Sequence, residues 1–437
     1  MKRFLSATLV LIVMSCYIFP FIPAPIPIAN TKQVLSVIGI LLIGFDLISK
    51  RNPIINKDIL QLSIYAALVS LIGLIATTYN GTSDFTYTTY IISMTVWLAG
   101  AYTVVATIRK VYGECSIFLI GNIFIGICVV QCILAIAVDM IPAVKAVVDA
   151  IQGPSTWLES VDRLYGLGAC LDTAGIRFAI ALTLIAVFLV KISDTEYQKY
   201  SYWYVIAFII ITVLGNMVAR TTSVGAVLGL LYLLKASRIQ RLYISDIFSR
   251  IVKYFIAILA IAVPILIFLY HTNESIHDYL RFAFEGFFNL AETGEWEIGS
   301  NERLKSMYVY PDNLKTWIIG DGYMVNPYYS DPYYMGPNFD GYYMGTDVGY
   351  LRFIFYFGLT GLIIFILYFI KATQICIRKF PLEKDIMLLL LAMNFIVWFK
   401  VSTDCFFVFA LYLLVSKEEN DKFNLIAINT TDAYEQI

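Results

Sequence analysis

Arg163, Arg177, Arg220, Arg303 and Arg352 stand at the ends of long apolar runs or in the loops that join them. A guanidinium there is costly unless it snorkels to water or meets an anion. Its planar fork of donors matches phosphate oxygens in pairs, so five such residues point to a polyanionic ligand. A diphosphate attached to a lipid would lie at this depth, at headgroup level. For any single arginine, snorkelling or a structural carboxylate pair explains the position equally well.

The second set of reactive groups lies between Tyr270 and Asp347. This stretch holds both histidines, His271 and His277, and residues 271–346 carry eleven acidic side chains against four basic ones. That balance, with a whole-chain net charge of −1, excludes a nucleic-acid partner. Ten tyrosines with Trp296 and Trp317 suit the faces of sugar rings, while the carboxylates suit their hydroxyls. An interfacial aromatic belt is the plainer explanation for the same rings. Candidate general bases are His271, His277, Glu302, Asp321 and Asp347, and only geometry can choose among them. Tyr323 follows directly on Gly320-Asp321-Gly322 and joins the substrate-contact candidates. Asp347 also suits a capping role at the start of the next apolar run. Asp331-Pro-Tyr-Tyr-Met-Gly and Asp340-Gly-Tyr-Tyr-Met-Gly repeat nine residues apart and read as two stacked turns. No cofactor motif or metal-ligand spacing is legible, and the seven cysteines form no disulfide framework.

The elements that must position these groups are set by composition. Of 437 residues, 59% are hydrophobic and 14% charged, with a mean hydropathy of +0.75. Such a chain is a polytopic membrane protein of the all-α class. Twelve spans are expected, at about 4–22, 34–49, 58–78, 86–108, 115–139, 174–192, 202–219, 221–236, 252–270, 347–370, 384–399 and 402–416. The first begins Met1-Lys2-Arg3, and Val13-Met14-Ser15-Cys16 faintly resembles a lipoprotein cleavage box. With the N-terminus inside, 20 of the 31 lysines and arginines fall on inner segments, which sets both termini in the cytoplasm. The chain then divides into residues 1–270 (spans one to nine with an outer loop at 140–173), the large outer loop 271–346, and residues 347–437 (spans ten to twelve and a cytoplasmic tail). Within the large loop, an amphipathic helix is expected over Glu274–Leu290, a second around Asn301–Tyr310 and a third over Leu314–Ile319.

This layout resembles the Wzy-type polysaccharide polymerases and the related O-antigen ligases. The resemblance rests on RLYGLG followed by Arg177 in GIRFAIAL, ARTTSVGAVLGLL at Arg220, ERLKSMYVYPDNLKTWIIGDGY, and TDVGYLRFIFYFGLTGLIIF. The spacing from Arg303 to Gly320 and Gly322 is similar to the family's loop pattern, as is the run from Asp347 to Leu351. The resemblance implies glycosyl transfer at the outer face of a bacterial plasma membrane, with a growing glycan on undecaprenyl diphosphate as donor and one lipid-linked repeat unit as acceptor. It implies O-antigen, capsular or exopolysaccharide as product, and a chain-length regulator and a flippase of the same pathway as partners. Leaving-group charge would be met by arginines without a metal or other cofactor. Arg220, Arg303, Asp321 and Asp347 would be catalytic, and Arg163, Arg177, Arg352 and Tyr323 would hold substrate. The ligases' loop histidine has no counterpart after Arg303, which favours polymerase over ligase. A transporter or lipid-linked-oligosaccharide flippase is the alternative from another class, but no half-to-half repeat is visible.

Overall fold

The computed structural model describes residues 2–50, 57–154, 163–192, 200–236, 246–339 and 341–422. Asp340 of the second turn motif lies outside them, as do Arg51, Lys199, Arg238 and Arg241 of the inner segments. The described residues are helical, with two isolated β-bridges, Tyr165 to Cys170 and Val325 to Tyr342. The helices are α1 (Lys2–Ile18), α2 (Thr31–Lys50), α3 (Lys57–Asn80), α4 (Tyr90–Tyr112), α5 (Ile117–Met140), α6 (Pro142–Gln152), α7 (Leu171–Ile192), α8 (Ser201–Val218), α9 (Thr222–Ala236) and α10 (Asp246–Thr272). They continue with α11 (Glu274–Ala283), α12 (Glu285–Thr293), α13 (Gly299–Ser306), α14 (Leu314–Ile318), α15 (Gly349–Lys379), α16 (Lys384–Val397) and α17 (Phe406–Leu414).

Each of the twelve expected spans coincides with a helix, and among the described residues eight of these are long and apolar enough to cross a membrane: α2 to α5, α7, α8, α10 and α15. α1 and α9 are shorter apolar helices. α16 has 14 residues and α17 nine. At 1.5 Å per residue they rise about 21 and 14 Å, short of a hydrocarbon core of about 30 Å. The last two of the twelve expected spans are therefore not confirmed by helix length. The amphipathic helix expected over Glu274–Leu290 is two helices, α11 and α12, broken at Phe284. The N-cap position of α15 falls on Val348, one residue after Asp347, and Val348 makes no side-chain cap bond. The Tyr350 N–H of the first turn is taken instead by Trp398 O at 3.1 Å.

The chain forms two compact units. Unit 1 comprises residues 1–34, 104–296 and 415–437; unit 2 comprises 35–103 and 297–414. The segment 271–346 is shared between them, dividing after Trp296.

In unit 1, α7 is apolar all round and buried along nearly its whole length, with α5, α8 and α9 packed on it. Small residues set the spacing. A Cβ on Gly225 would overlap the Ala179 backbone, and one on Gly229 would lie 3.2 Å from Leu182 O. Gly225 and Gly229, four apart on one face of α9, let the two helices approach backbone to backbone.

In unit 2, α15 packs against α3, α14, α16 and α17. Its core is aromatic. Phe365 stacks on Trp398 at 5.2 Å and meets Phe353 and Tyr87 edge-on at 5.2 and 5.5 Å. α15 is broken at Phe357 and Gly358, about 12 Å below its start. The break frees main-chain carbonyls, which must find donors. They find them in the turn after α14: Asp321 N–H donates to Phe355 O at 2.6 Å and Gly322 N–H to Tyr356 O at 3.0 Å.

Candidate functional site

Unit 1 gathers two of the expected arginines around one ring. α11 presents Phe282, with the Arg163 guanidinium 4.0 Å from the ring centroid and the Arg220 guanidinium 4.1 Å from it. Arg220, in the tight connection between α8 and α9, also donates from Nε to Phe282 O at 2.8 Å and pairs with Glu285 at 2.7 Å. Asp172, which accepts from Thr221 Oγ1, acts electrostatically on Arg163. Burial lowers the pKa of both guanidiniums from the usual arginine value; Asp172 opposes this at Arg163 and Glu285 opposes it at Arg220. Both remain cations at any physiological pH. Their mutual repulsion is a further cause at Arg220. Two positive charges held against one aromatic spacer can receive a doubly charged oxyanion without first being assembled.

Arg177 is placed differently. It is buried, with Nε on Ile18 O and Nη1 on Thr173 O, and so ties the end of α1 to α7. The histidines surround Tyr270: His277 lies 4.4 Å from its ring and His271 5.3 Å. His277 Nδ1 is 2.9 Å from Asp278 Oδ1.

Unit 2 holds the other expected residues. The Gly320-Asp321-Gly322 turn fits only glycine at its ends. Gly320 has φ +85° and Gly322 +76°, and a Cβ on Gly320 would lie 2.6 Å from Phe357 N. Asp321, between them, is bonded from three directions. Its Oδ1 accepts from Lys315 Nζ at 2.5 Å and Thr316 Oγ1 at 2.7 Å. Its Oδ2 accepts from Tyr343 Oη at 3.2 Å. Each carboxylate oxygen can accept about two such bonds. Oδ1 is therefore filled, and Oδ2 keeps one acceptor position. Lys315 also donates to Asn80 Oδ1 at 2.8 Å, and Asn80 Nδ2 donates to Gly320 O at 3.1 Å.

Beside Asp321 is a tyrosine cluster. The Tyr323 ring lies 5.3 Å from Tyr343 and 5.5 Å from Tyr334. Tyr323 Oη donates to Asp331 Oδ2 at 3.0 Å. Burial first, and Asp321 second, push the Tyr343 hydroxyl above its ordinary pKa; Tyr323 is raised by burial and by its bond to Asp331. Both hydroxyls stay protonated donors. Asp331 is held below the usual carboxylate range, chiefly by the Tyr333 N–H at 2.9 Å. The segment is anchored by Asp84, whose Oδ2 accepts from the N–H groups of Met324 and Val325 at 2.7 and 3.2 Å.

Arg352, in the first turn of α15, is 8% exposed. It donates to Ser402 Oγ at 2.7 Å and Met324 O at 3.3 Å. Arg303 is exposed on α13, beside a Glu302–Lys305 pair of 2.6 Å. Asp347 is partly buried in the turn before α15.

Phe282, Glu285, Lys315, Tyr343 and Asp84 were not singled out from sequence. Phe282 read as one more apolar residue of an amphipathic face. Only Lys315 left a signal, six residues from Asp321 across a predicted helix end. Among the described residues no group of three or more histidine, cysteine or carboxylate side chains could hold a metal ion. No protein-family model matches the chain, and neither curated proteins nor solved structures yield a match.

Proposed function

We propose that this protein polymerises undecaprenyl-diphosphate-linked oligosaccharide repeats into a surface polysaccharide at the outer face of a bacterial plasma membrane. The observation that carries the reading is the Arg163–Phe282–Arg220 arrangement: two half-buried guanidiniums face one ring in a unit built of lipid-length helices. Bidentate donors at that position suit a lipid diphosphate.

In this reading an acceptor sugar hydroxyl attacks the anomeric carbon of the donor. The bond from that carbon to the diphosphate oxygen breaks, and the lipid diphosphate leaves with the electron pair. Arg163 and Arg220 offset the charge that develops there. Asp321 is our candidate general base on the geometry of unit 2 alone, where Oδ2 keeps one acceptor position for a sugar hydroxyl. Tyr323, Tyr334 and Tyr343 offer ring faces to a sugar, and Arg303 offers an exposed cation to the glycan chain. Arg177 and Lys315 serve as positioning residues, through the main-chain carbonyls and the Asp321 carboxylate that they hold. The loop 271–346 faces outward, with both termini cytoplasmic.

Deletion of the gene in its native strain tests the reading, with surface glycan resolved on a gel. Loss of the ladder with single-repeat products remaining is expected. A full ladder left on its lipid carrier would mean ligase, and repeat units accumulating on the cytoplasmic side would mean flippase; either sinks the proposal.

A further inference from the structure

Residues 326–339, in unit 2, carry a shorter repeat than the nine-residue one: Pro327-Tyr328-Tyr329 and Pro332-Tyr333-Tyr334 stand five residues apart. Each proline fixes its own φ, and each unit takes part in a turn. Ser330 N–H donates to Pro327 O at 3.1 Å, and Tyr334 N–H donates to Asp331 O at 3.1 Å. Tyr328 and Tyr329 are thus the corner of the first turn, and Tyr333 is at the corner of the second. Their side chains stand in water: Tyr329 is 83% exposed, Tyr333 85% and Tyr328 50%. The backbone beneath them is held. Asn326 Nδ2 donates to Asn338 Oδ1 at 2.8 Å and closes the base of the loop. Tyr328 N–H donates to Asn326 Oδ1 at 3.1 Å, Tyr333 N–H to Asp331 Oδ1 at 2.9 Å, and Asn338 Nδ2 to Tyr329 Oη at 3.3 Å. Tyrosines on a fixed backbone give a large contact area at little cost in entropy.

The chemistry of the loop narrows what can meet these rings. The stretch has no lysine or arginine, and its one carboxylate, Asp331, is buried. It therefore offers no cation to a phosphate headgroup. It has no leucine, isoleucine or valine, so it lacks the aliphatic side chains with which an interfacial anchor enters lipid. Ring faces beside amides and hydroxyls suit the faces and hydroxyl edges of a neutral glycan. The loop also continues the site at Asp321. The Tyr334 ring lies 5.5 Å from Tyr323, and Tyr323 lies 5.3 Å from Tyr343, which donates to Asp321 Oδ2. Rings thus run from Asp321 to the second turn, where Tyr333 precedes Tyr334.

We infer that Tyr328, Tyr329 and Tyr333 form a holding subsite for the grown part of the glycan, apart from the groups that react. The inference rests on the polymerase reading for the identity of that chain. Its consequence is product length. A chain gripped both at the reaction site and at the turns rebinds one contact before it loses the other. A chain too short to reach the turns gains nothing, because a tether that cannot span two sites adds no avidity. The subsite therefore favours long products.

The test uses the full chain, in detergent and in lipid nanodiscs, with delipidated surface polysaccharide of the native strain as the probe. Hydroxyl-radical oxidation of Tyr328, Tyr329 and Tyr333 is followed by peptide mass spectrometry. The polysaccharide should protect all three. The double variant Tyr329→Ala/Tyr333→Ala should bind it about tenfold more weakly, the scale of losing aromatic contacts, whereas Tyr333→Phe, which keeps the ring, should bind it as the wild type does. Supplied with lipid-linked single repeats, the double variant should give a ladder shifted to shorter products. Oxidation unchanged by the polysaccharide, or a ladder of normal length from the double variant, overturns the subsite. So does protection by the nanodisc lipid alone, which would make the rings a membrane anchor. Both substituted side chains are exposed, so the variant leaves the packed core untouched. Protection is read without turnover: a wild type that binds the polysaccharide and makes no polymer would sink the polymerase reading and leave the glycan contact standing.

Discussion

Gly358→Ala should disable the protein by pushing the Asp321 turn away from the broken helix. Gly358 has φ +68° and ψ −174°, a region open essentially only to glycine. Forcing an alanine there costs about 1–3 kcal/mol in backbone strain. The added Cβ would also overlap Ile318 O and lie 2.6 Å from Ile319 N, both main-chain atoms that cannot rotate away. Moving that backbone breaks the Thr360 bond to Ile318 O and pulls on the two bonds from Asp321 and Gly322 N–H to the helix. Each is worth about 1 kcal/mol net. The combined cost is about 4–6 kcal/mol. Gly81→Ala is the control: it has φ +66° but open space around the new Cβ, so it carries the backbone strain alone, about 1–3 kcal/mol. The assay is the thermal midpoint of the detergent-purified protein, read as a ranking because two units need not melt together. Gly358→Ala should fall well below Gly81→Ala and lose polymer formation. Equal midpoints would refute the claim that the turn is held by the helix break.

Gly225→Val should lower the midpoint strongly through unit 1, because its side chain would displace the Ala179 backbone; a normal midpoint would contradict the close α7–α9 packing. Tyr343 is raised in the folded state, so its contribution is whole below about pH 10 and is lost as pH rises through the folded value. Tyr343→Phe should therefore flatten the alkaline end of the stability profile, and an unchanged profile would rule out the buried donor. Asp331 is lowered, so its contribution is present above about pH 4 and fades as pH falls through the folded value. Asp331→Asn should flatten the acid end, which a pH titration of the midpoint checks.

Positions of helices were readable because apolar runs of lipid length have few other meanings. Their ends and interruptions were not. Phe284, with φ −119° and ψ 26°, splits a helix whose apolar spacing runs on without a break. The charge bias of the loops exposed Arg163 and Arg220, but nothing local marks Phe282 as the ring between them, since 62 residues separate it from Arg220. Asp321 was visible through its flanking glycines. Its bond to Tyr343 was not, because that depends on how the chain returns 22 residues later. Nothing local to Asp347 shows that the Tyr350 N–H in the first turn of α15 is met by Trp398 O, at the far end of α16. The five arginines read as one set; the structure separates Arg163 and Arg220, which share a ring, from Arg177, which is bonded to carbonyls.

Glycan polymerisation is tested by supplying the purified protein with lipid-linked single repeats extracted from the deletion strain. The wild type should convert them to a ladder with release of lipid diphosphate, and Arg220→Ala and Asp321→Asn should leave single repeats. Unchanged repeats with the wild type, or a ladder of full strength from both variants, would contradict the account.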